Sequence, residues 1–334
     1  MLIKNKEIGT LFPPFIIADI SGNHEQDFAK AISLIKAVKD SGCDAVKFQT
    51  YKPEGLSRPG LGQFKGKSLI DLYELYGSIY MPYEWYPELF AYAKEIDLIA
   101  FTTIFNPEDM EMLEKLDCPA YKISSYEINF MQLLNVVKQT GKPTMISTGC
   151  ASYSDLVFLA NRFSPLNTIL LKCVSAYPAP PELFNLKTIP EMKNQFGFDI
   201  GLSDHSHGSA IACASIAMGG VAVEKHITLS KTTSIDGHFA LLPKEMTNFV
   251  NDVHTAWKAM GTIDFETPIK SREYMRSLYT IKPIKKGEEF CSSNIGFLRP
   301  NKGLNPKAYN SFIGKKASMD IDVEMPLKEE YIQY

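Results

Sequence analysis

The sequence predicts an α/β protein, a closed (β/α)8 TIM barrel followed by a small C-terminal domain. Three observations predict it. Eight short, β-rich apolar runs alternate with helix-length amphipathic segments, the pattern of a parallel sheet. The runs end in clusters of polar residues, as strands do where a barrel carries its site. The chain has 334 residues, more than the roughly 250–300 at which one hydrophobic core stops growing, so a second, smaller domain is expected. An open doubly wound sheet is the alternative arrangement of the same pattern.

The strands are expected at 15–20, 45–49, 98–103, 120–124, 144–147, 168–173, 200–203 and 221–226, and the helices at 27–39, 83–95, 107–116, 130–139, 153–163, 186–196, 209–218 and 243–260. The stretch 199–226 shows the unit most clearly. An apolar run stops at Ser203-Asp204-His205, a small-residue helix follows, and a second apolar run stops at Glu224-Lys225-His226. A right-handed crossover lays such strands parallel, so both polar clusters emerge at one edge of the sheet. The segment 50–82, between the second and third strands, is long and rich in Gly, Tyr and Lys, and is expected to be a functional loop over the site. The domains are expected at 1–262 (barrel), 263–277 (linker) and 278–334, the last carrying turn signals at Lys286-Gly287, 299–303 and Gly314-Lys315. So short a segment favours docking on the barrel or on a second subunit.

A net charge of −3, a pI of about 6.1 and the lack of a long basic run exclude nucleic acid as the expected partner. Six scattered cysteines without a C-x-x-C pair read as reduced thiols. The first residues lack a signal peptide's apolar core, and no apolar run reaches the roughly 18–20 residues a bilayer needs, so a soluble, cytoplasmic protein without membrane contact is expected.

The residues closing the strands carry the chemistry. They are Asp19 with Asn23, His24 and Glu25; Lys47 and Gln49; Thr102 and Thr103; Lys122 with Ser124, Ser125 and Glu127; Ser147-Thr148-Gly149; Lys172 with Ser175 and Tyr177; and the two clusters above. Lys47 and Lys122 lie inside apolar runs, where an unpaired ammonium is costly to bury. A bound anion accounts for both, with Thr103, Ser125, Ser147, Ser203 and amides near Gly149 as further donors. The alternative is that each lysine pairs with a barrel carboxylate such as Asp19 or Glu127. His205 and His226 face one cavity in this reading. They do not make a closed structural metal site, and they suit an exchangeable divalent ion acting as a Lewis acid, Mn2+ ahead of Mg2+. Hydrogen-bonded core histidines are the alternative. Glu224 and Asp236 are rim carboxylates that orient a hydroxyl or are merely solvated.

The stretches IIADISGNHEQ, DAVKFQTY, AYKISSYE, MISTG, LLKCVSAYP, GLSDHS and EKHITL, in this order and across nearly the whole chain, resemble the motifs of the sialic acid (nonulosonate) synthase family. The tail KKGEEF, FLRPNKGL, FIGKKA resembles that family's antifreeze-protein-like (SAF) domain. The resemblance implies a C–C bond-forming transferase that condenses phosphoenolpyruvate with an open-chain amino sugar, giving a nine-carbon 2-keto acid and phosphate. It also implies a domain-swapped homodimer.

Carried over by position, Lys47, Thr103, Lys122, Ser125, Ser147 and Ser203 match the phosphoenolpyruvate site, and His205 and His226 the metal ligands, with Mn2+ favoured and Mg2+ or Co2+ as substitutes. Gln49, Glu127, Tyr177 and Asp236 match positions meeting the sugar. Arg299 matches an arginine that reaches the partner's site, and Asp19, Lys122 and Arg299 form the implied catalytic group, in which Asp19 or another carboxylate aids the water that adds to the substrate. The chain departs from the family at Asp19, where Glu is usual, at Ile104 in place of proline, and at Ser175 in place of asparagine. LYELYGSIYMPYEW and RPNKGLNPKAY resemble the pseudaminic acid branch, and Tyr73, Tyr76, Tyr80 and Tyr83 suit a 6-deoxy sugar; IDGHFAL departs from that branch. Legionaminic and N-acetylneuraminic acid synthases are the alternatives within the family, and a metal-dependent pyruvate aldolase is a more distant one.

Overall fold

In the computed structural model, which describes residues 1–65, 69–265 and 269–333, eight parallel strands close into a barrel. Residues 66–68 of the expected loop, 266–268 of the expected linker and Tyr334 lie outside the described residues. The strands are β1 (Phe15–Asp19), β2 (Ala45–Thr50), β3 (Ile99–Ile104), β4 (Tyr121–Ile123), β5 (Thr144–Ser147), β6 (Thr168–Cys173), β7 (Asp199–Asp204) and β8 (Ala222–His226). They neighbour one another in chain order, and β8 pairs with β1 to complete the circle. The sheet is therefore closed, not open and doubly wound.

Eight helices surround it: α1 (Phe28–Asp40), α2 (Tyr86–Glu95), α3 (Met110–Lys115), α4 (Met131–Thr140), α5 (Tyr153–Ala160), α6 (Thr188–Phe196), α7 (Ala210–Ala217) and α8 (Pro243–Met260). In α1 the buried residues Ala31, Leu34, Ile35 and Val38 recur at helical spacing, and the Asp27 carboxylate accepts from the Lys30 amide at the N-cap. Gly141 and Gly197 stop α4 and α6 with φ of 65° and 76°, a left-handed turn that a side chain disfavours. The second and third expected helices start as 3-10 turns, Tyr83–Trp85 and Pro107–Asp109, so their α-helical parts are shorter than periodicity alone suggests. No helix among the described residues is long and apolar enough to cross a membrane.

The segment between β2 and β3 has structure of its own. It holds a helix Pro53–Leu56, a hairpin pairing Gln63–Lys65 with Leu69–Asp71, and a helix Leu72–Ile79 capped by Asp71. Gln26 Nε2 donates to the carbonyls of Gly77 and Tyr80 at 3.2 and 3.1 Å, tying that helix to the loop after β1.

The chain divides after Gly261, and Thr262–Tyr334 forms a second compact unit. Its core gathers Leu278, Ile284, Phe290, Ile295, Phe312, Ile321 and Leu327. Two antiparallel pairs frame it, β9 (Ser277–Thr280) with β10 (Ile295–Leu298) and β11 (Lys316–Ala317) with β12 (Ile332–Gln333). A short helix, Ile269–Arg272, lies within the span expected to be the linker.

Candidate active site at the C-terminal mouth of the barrel

Parallel register brings the polar strand ends to one level. His226 lies opposite Asp19, Asp19 opposite Lys47, Gln49 opposite Thr103, Thr103 opposite Lys122, and Ser203 lies between Cys173 and Glu224. Alternate side chains of a strand share a face, so these rows turn into the barrel together. They line a cavity of about 70 Å3 that takes in Asp19, Lys47, Gln49, Thr103, Lys122, Ser125, Ser147, Tyr177, Ser203, His205 and His226 from the sequence expectation. The cavity also takes in Glu224, Cys173, Ser124, Phe105 and Tyr126.

Two lysines and two carboxylates meet at its floor. Lys47 Nζ donates to Asp19 Oδ2 and to Thr103 Oγ1, both at 2.6 Å, with Glu224 Oε2 at 3.8 Å. Lys122 Nζ has Glu224 Oε1 at 3.5 Å. Both side chains are no more than 3% exposed. Lys47 thus has a protein counterion, and the partner of Lys122 is Glu224 and not Glu127, whose carboxylate accepts from the Ser124 hydroxyl.

The electrostatics of the two lysines differ. Burial works against the Lys47 ammonium, but Asp19 and Glu224 outweigh it and hold its pKa above the ordinary value. Burial wins at Lys122, whose pKa falls because Glu224 is distant and Lys47 repels it. Lys122 is the cation that an added anion satisfies. Around it stand hydroxyl donors. Ser147 Oγ is buried without a hydrogen-bond partner, and Ser203 Oγ donates to Glu224 Oε1 at 3.1 Å. The Gly149 amide donates to Ser125 Oγ at 2.9 Å, and a Cβ at Gly149 would lie 2.4 Å from Ser175 Oγ and 2.9 Å from Ser125 Oγ, so only glycine leaves this cradle open.

Both oxygens of Asp19 are engaged. Oδ1 accepts from the Ser21 amide at 2.8 Å, and Oδ2 from Lys47 and from Gln49 Nε2 at 3.1 Å. As a water-activating base, the role expected of it, Asp19 has no free oxygen. Glu224 has one: Oε2 is buried without a hydrogen-bond partner. Burial pushes the Glu224 carboxyl upward, and Lys122 and Lys47 more than offset this, keeping it below the ordinary carboxylate range. The sequence placed Glu224 at the rim; the barrel places it on the floor.

The two imidazole rings lie 5.3 Å apart, centroid to centroid, against the Phe239 ring. His205 Nδ1 lies 2.9 Å from the Val174 carbonyl, and His226 Nδ1 2.9 Å from Asp236 Oδ2. These acceptors place a proton on each Nδ1 and turn each Nε2 toward the cavity, where His226 Nε2 lies 3.7 Å from Asp19 Oδ2. Burial and the neighbouring His226 lower the His205 pKa to about 4, so it is neutral and basic-site ready. At His226, burial is outweighed by Asp19 and Asp236, which raise its pKa. Among the described residues no cluster of three or more His, Cys, Asp or Glu groups forms a cation cage, and a metal held by His205 and His226 would take its remaining ligands from outside the protein. The donor set fits an exchangeable divalent ion.

Several residues expected to meet the sugar lie outside the lining of this cavity. Asp236 stands behind His226, also accepting from Asn23 Nδ2 at 3.3 Å, and neither it nor Glu127 lines the cavity. Tyr73, Tyr76, Tyr80 and Tyr83 are not among the lining residues either. Tyr76 packs on Tyr51 at 5.8 Å, and Tyr83 donates to Asp109 at 2.7 Å. The aromatic wall is Phe105, Tyr126 and Tyr177, whose ring lies 4.3 Å from that of His205. Arg299 is exposed and belongs to the second unit.

His24, also marked at a strand end, is wholly buried edge-on to Trp85, with Nδ1 accepting from the Gln26 amide at 3.0 Å and Nε2 unpartnered. Burial lowers its pKa to about 4, against a weaker upward pull from Glu25. The unfolded chain, with an ordinary histidine, binds the extra proton between about pH 6.5 and 4, so stability is lost as the pH is lowered through that window. The His24 share is about 2 kcal/mol by pH 5. Urea denaturation at pH 7 and pH 5 is expected to show a smaller difference in His24→Asn than in the unaltered protein; an identical difference excludes this account.

Comparison with known proteins gives a consistent picture. The NeuB family model matches residues 34–264. The pseudaminic acid synthase of Campylobacter jejuni strain 81-176 is 40% identical over 330 residues, covering 94% of this chain and 95% of the relative. That of Helicobacter pylori is 37% identical, covering 97% and 99%. Among solved structures, the N-acetylneuraminic acid synthetase of Leptospira borgpetersenii, in complex with citrate, superposes with a TM-score of 0.74 at 28% identity, covering 82% of this chain and 94% of that one.

Proposed function

The chain belongs to the NeuB family of sialic acid synthases, and from that membership we propose that the cavity at the barrel mouth binds phosphoenolpyruvate beside an open-chain N-acetylated amino sugar. The protein is a transferase that joins these substrates by a C–C bond and releases phosphate, giving a nine-carbon nonulosonic acid. Pseudaminic acid is the product we assign, on the 37–40% identity to synthases of that acid over nearly the whole chain.

The observation that carries the site assignment is the pairing of an under-neutralised lysine with a free buried carboxylate oxygen beside two imidazoles. Lys122, with Ser125, Ser147, Ser203 and Thr103, receives the anionic groups of phosphoenolpyruvate, and Lys47 is held at the same level by Asp19. Gln49 and Tyr177 orient the sugar. A divalent ion on His205 and His226, Mn2+ by preference with Mg2+ or Co2+ as substitutes, supplies Lewis-acid polarisation of the sugar aldehyde. Held in this order, C3 of phosphoenolpyruvate faces the aldehyde carbon, and the gain comes from positioning two substrates away from bulk water. Attack of C3 on the aldehyde leaves an alkoxide and cationic character at C2; Glu224 takes the proton of the water that adds at C2, that proton neutralises the alkoxide, and the tetrahedral intermediate loses phosphate by C–O cleavage. Asp19 orients Lys47 and His226 in this scheme.

We assign the second unit to an SAF domain exchanged within a cytoplasmic homodimer, with Arg299 closing the partner's site. Phosphate release from phosphoenolpyruvate, measured over N-acetylmannosamine and the diacetamido trideoxy hexoses, tests the substrate. The altrose isomer is expected to be the best acceptor, with a pseudaminic acid product by mass spectrometry. Preference for a different isomer moves the chain to the legionaminic or N-acetylneuraminic branch, and turnover of pyruvate without phosphate release makes it an aldolase.

A further inference from the structure

The two imidazoles sit on strand ends whose outer faces share a buried ion pair. Ser203 and Glu224 turn into the barrel, so their successors Asp204 and Lys225, which are register partners, turn outward. Both side chains are 0% exposed, with Lys225 Nζ 2.8 Å from Asp204 Oδ2. Lys225 also donates to the Ser206 carbonyl and lies 5.6 Å over the Phe249 ring of α8. Asp204 Oδ1 accepts from the Ser206 amide at 2.8 Å and from its hydroxyl at 2.7 Å.

This network brackets His205, which stands between Asp204 and Ser206, and it abuts His226, which follows Lys225. A buried pair of charges adds little net stability over apolar residues of the same volume, yet removing one partner leaves a stranded charge, so its specific effect is to fix one geometry. Here the geometry fixed is the turn after β7 and the β7–β8 register, which set the separation of the two rings.

We propose that the Asp204–Lys225–Ser206 network is a positioning device that holds His205 and His226 at the spacing one divalent cation requires. The inference rests on the metal assignment made above. It is tested with Mn2+ alone on the full-length protein, reading free ion by electron paramagnetic resonance. The unaltered protein is expected to bind Mn2+, and Lys225→Met and Asp204→Asn, confirmed as folded by circular dichroism, to bind it about 10- to 100-fold more weakly. At saturating Mn2+ their turnover is expected to return toward that of the unaltered protein, with KM for phosphoenolpyruvate within about twofold. Ser206→Ala removes one hydrogen bond from Asp204 and is expected to weaken Mn2+ about threefold; it carries the test if the charge variants do not fold.

Unchanged Mn2+ affinity in the folded variants overturns the positioning role, as does lost turnover that saturating Mn2+ does not restore. Failure of the unaltered protein to bind Mn2+ overturns the metal assignment and this inference with it.

Discussion

Glu224→Gln is expected to lower kcat by about 10²- to 10⁴-fold, the range that removal of a general base produces. Glutamine keeps the shape and the acceptor that Ser203 Oγ meets at 3.1 Å, but it cannot take a proton at the oxygen that Glu224 leaves unpartnered. The loss should therefore fall on kcat, with KM for phosphoenolpyruvate changing much less, in steady-state phosphate-release assays. Asp19→Asn should behave differently. It releases Lys47 from its 2.6 Å partner and weakens the hold on Gln49, so its main effect is on substrate binding. The opposite result, kcat lost in Asp19→Asn and kept in Glu224→Gln, returns the base role to Asp19.

Lys122→Met is expected to reduce kcat/KM by about 100-fold, corresponding to roughly 3 kcal/mol for a buried charged hydrogen bond left unmade. The floor holds two ammonium groups and two carboxylates, so deleting one cation leaves net negative charge facing a phosphate. Lys122 is the more sensitive of the two lysines because it lies 3.5 Å from its carboxylate, whereas Lys47 is bound at 2.6 Å and is already neutralised. Titration of phosphoenolpyruvate against intrinsic fluorescence separates binding from turnover. Unchanged affinity in Lys122→Met removes this residue from the anion site.

Most of the barrel was legible in the chain. Apolar runs of four to six residues, each followed by an amphipathic helix, mark local preferences that closing the sheet does not override, and α8 occupies the 243–260 span that the sequence predicts. The insertion was less legible. Its hairpin and its Leu72–Ile79 helix depend on a local cap at Asp71 and on long-range bonds from Gln26, and a Gly- and Tyr-rich composition does not reveal either. The tyrosines expected near a sugar lie outside this cavity: helix Leu72–Ile79 turns Tyr76 onto Tyr51, and the cavity wall is made by Phe105, Tyr126 and Tyr177.

By itself the sequence determined which residues end the strands, because strand length, polar punctuation and the period of two are local. It thereby supplied Lys47, Lys122, the serines and both histidines. What only the tertiary structure decided is which of these groups are already satisfied. Glu224 reaches Lys122 across 102 residues of chain and Ser203 across 21, and Asp19 is saturated by Lys47 and Gln49 from the neighbouring strand. Those pairings exist only after eight strands close, so the difference between the two carboxylates, one with both oxygens hydrogen-bonded and one with an oxygen that accepts none, is a property of the barrel.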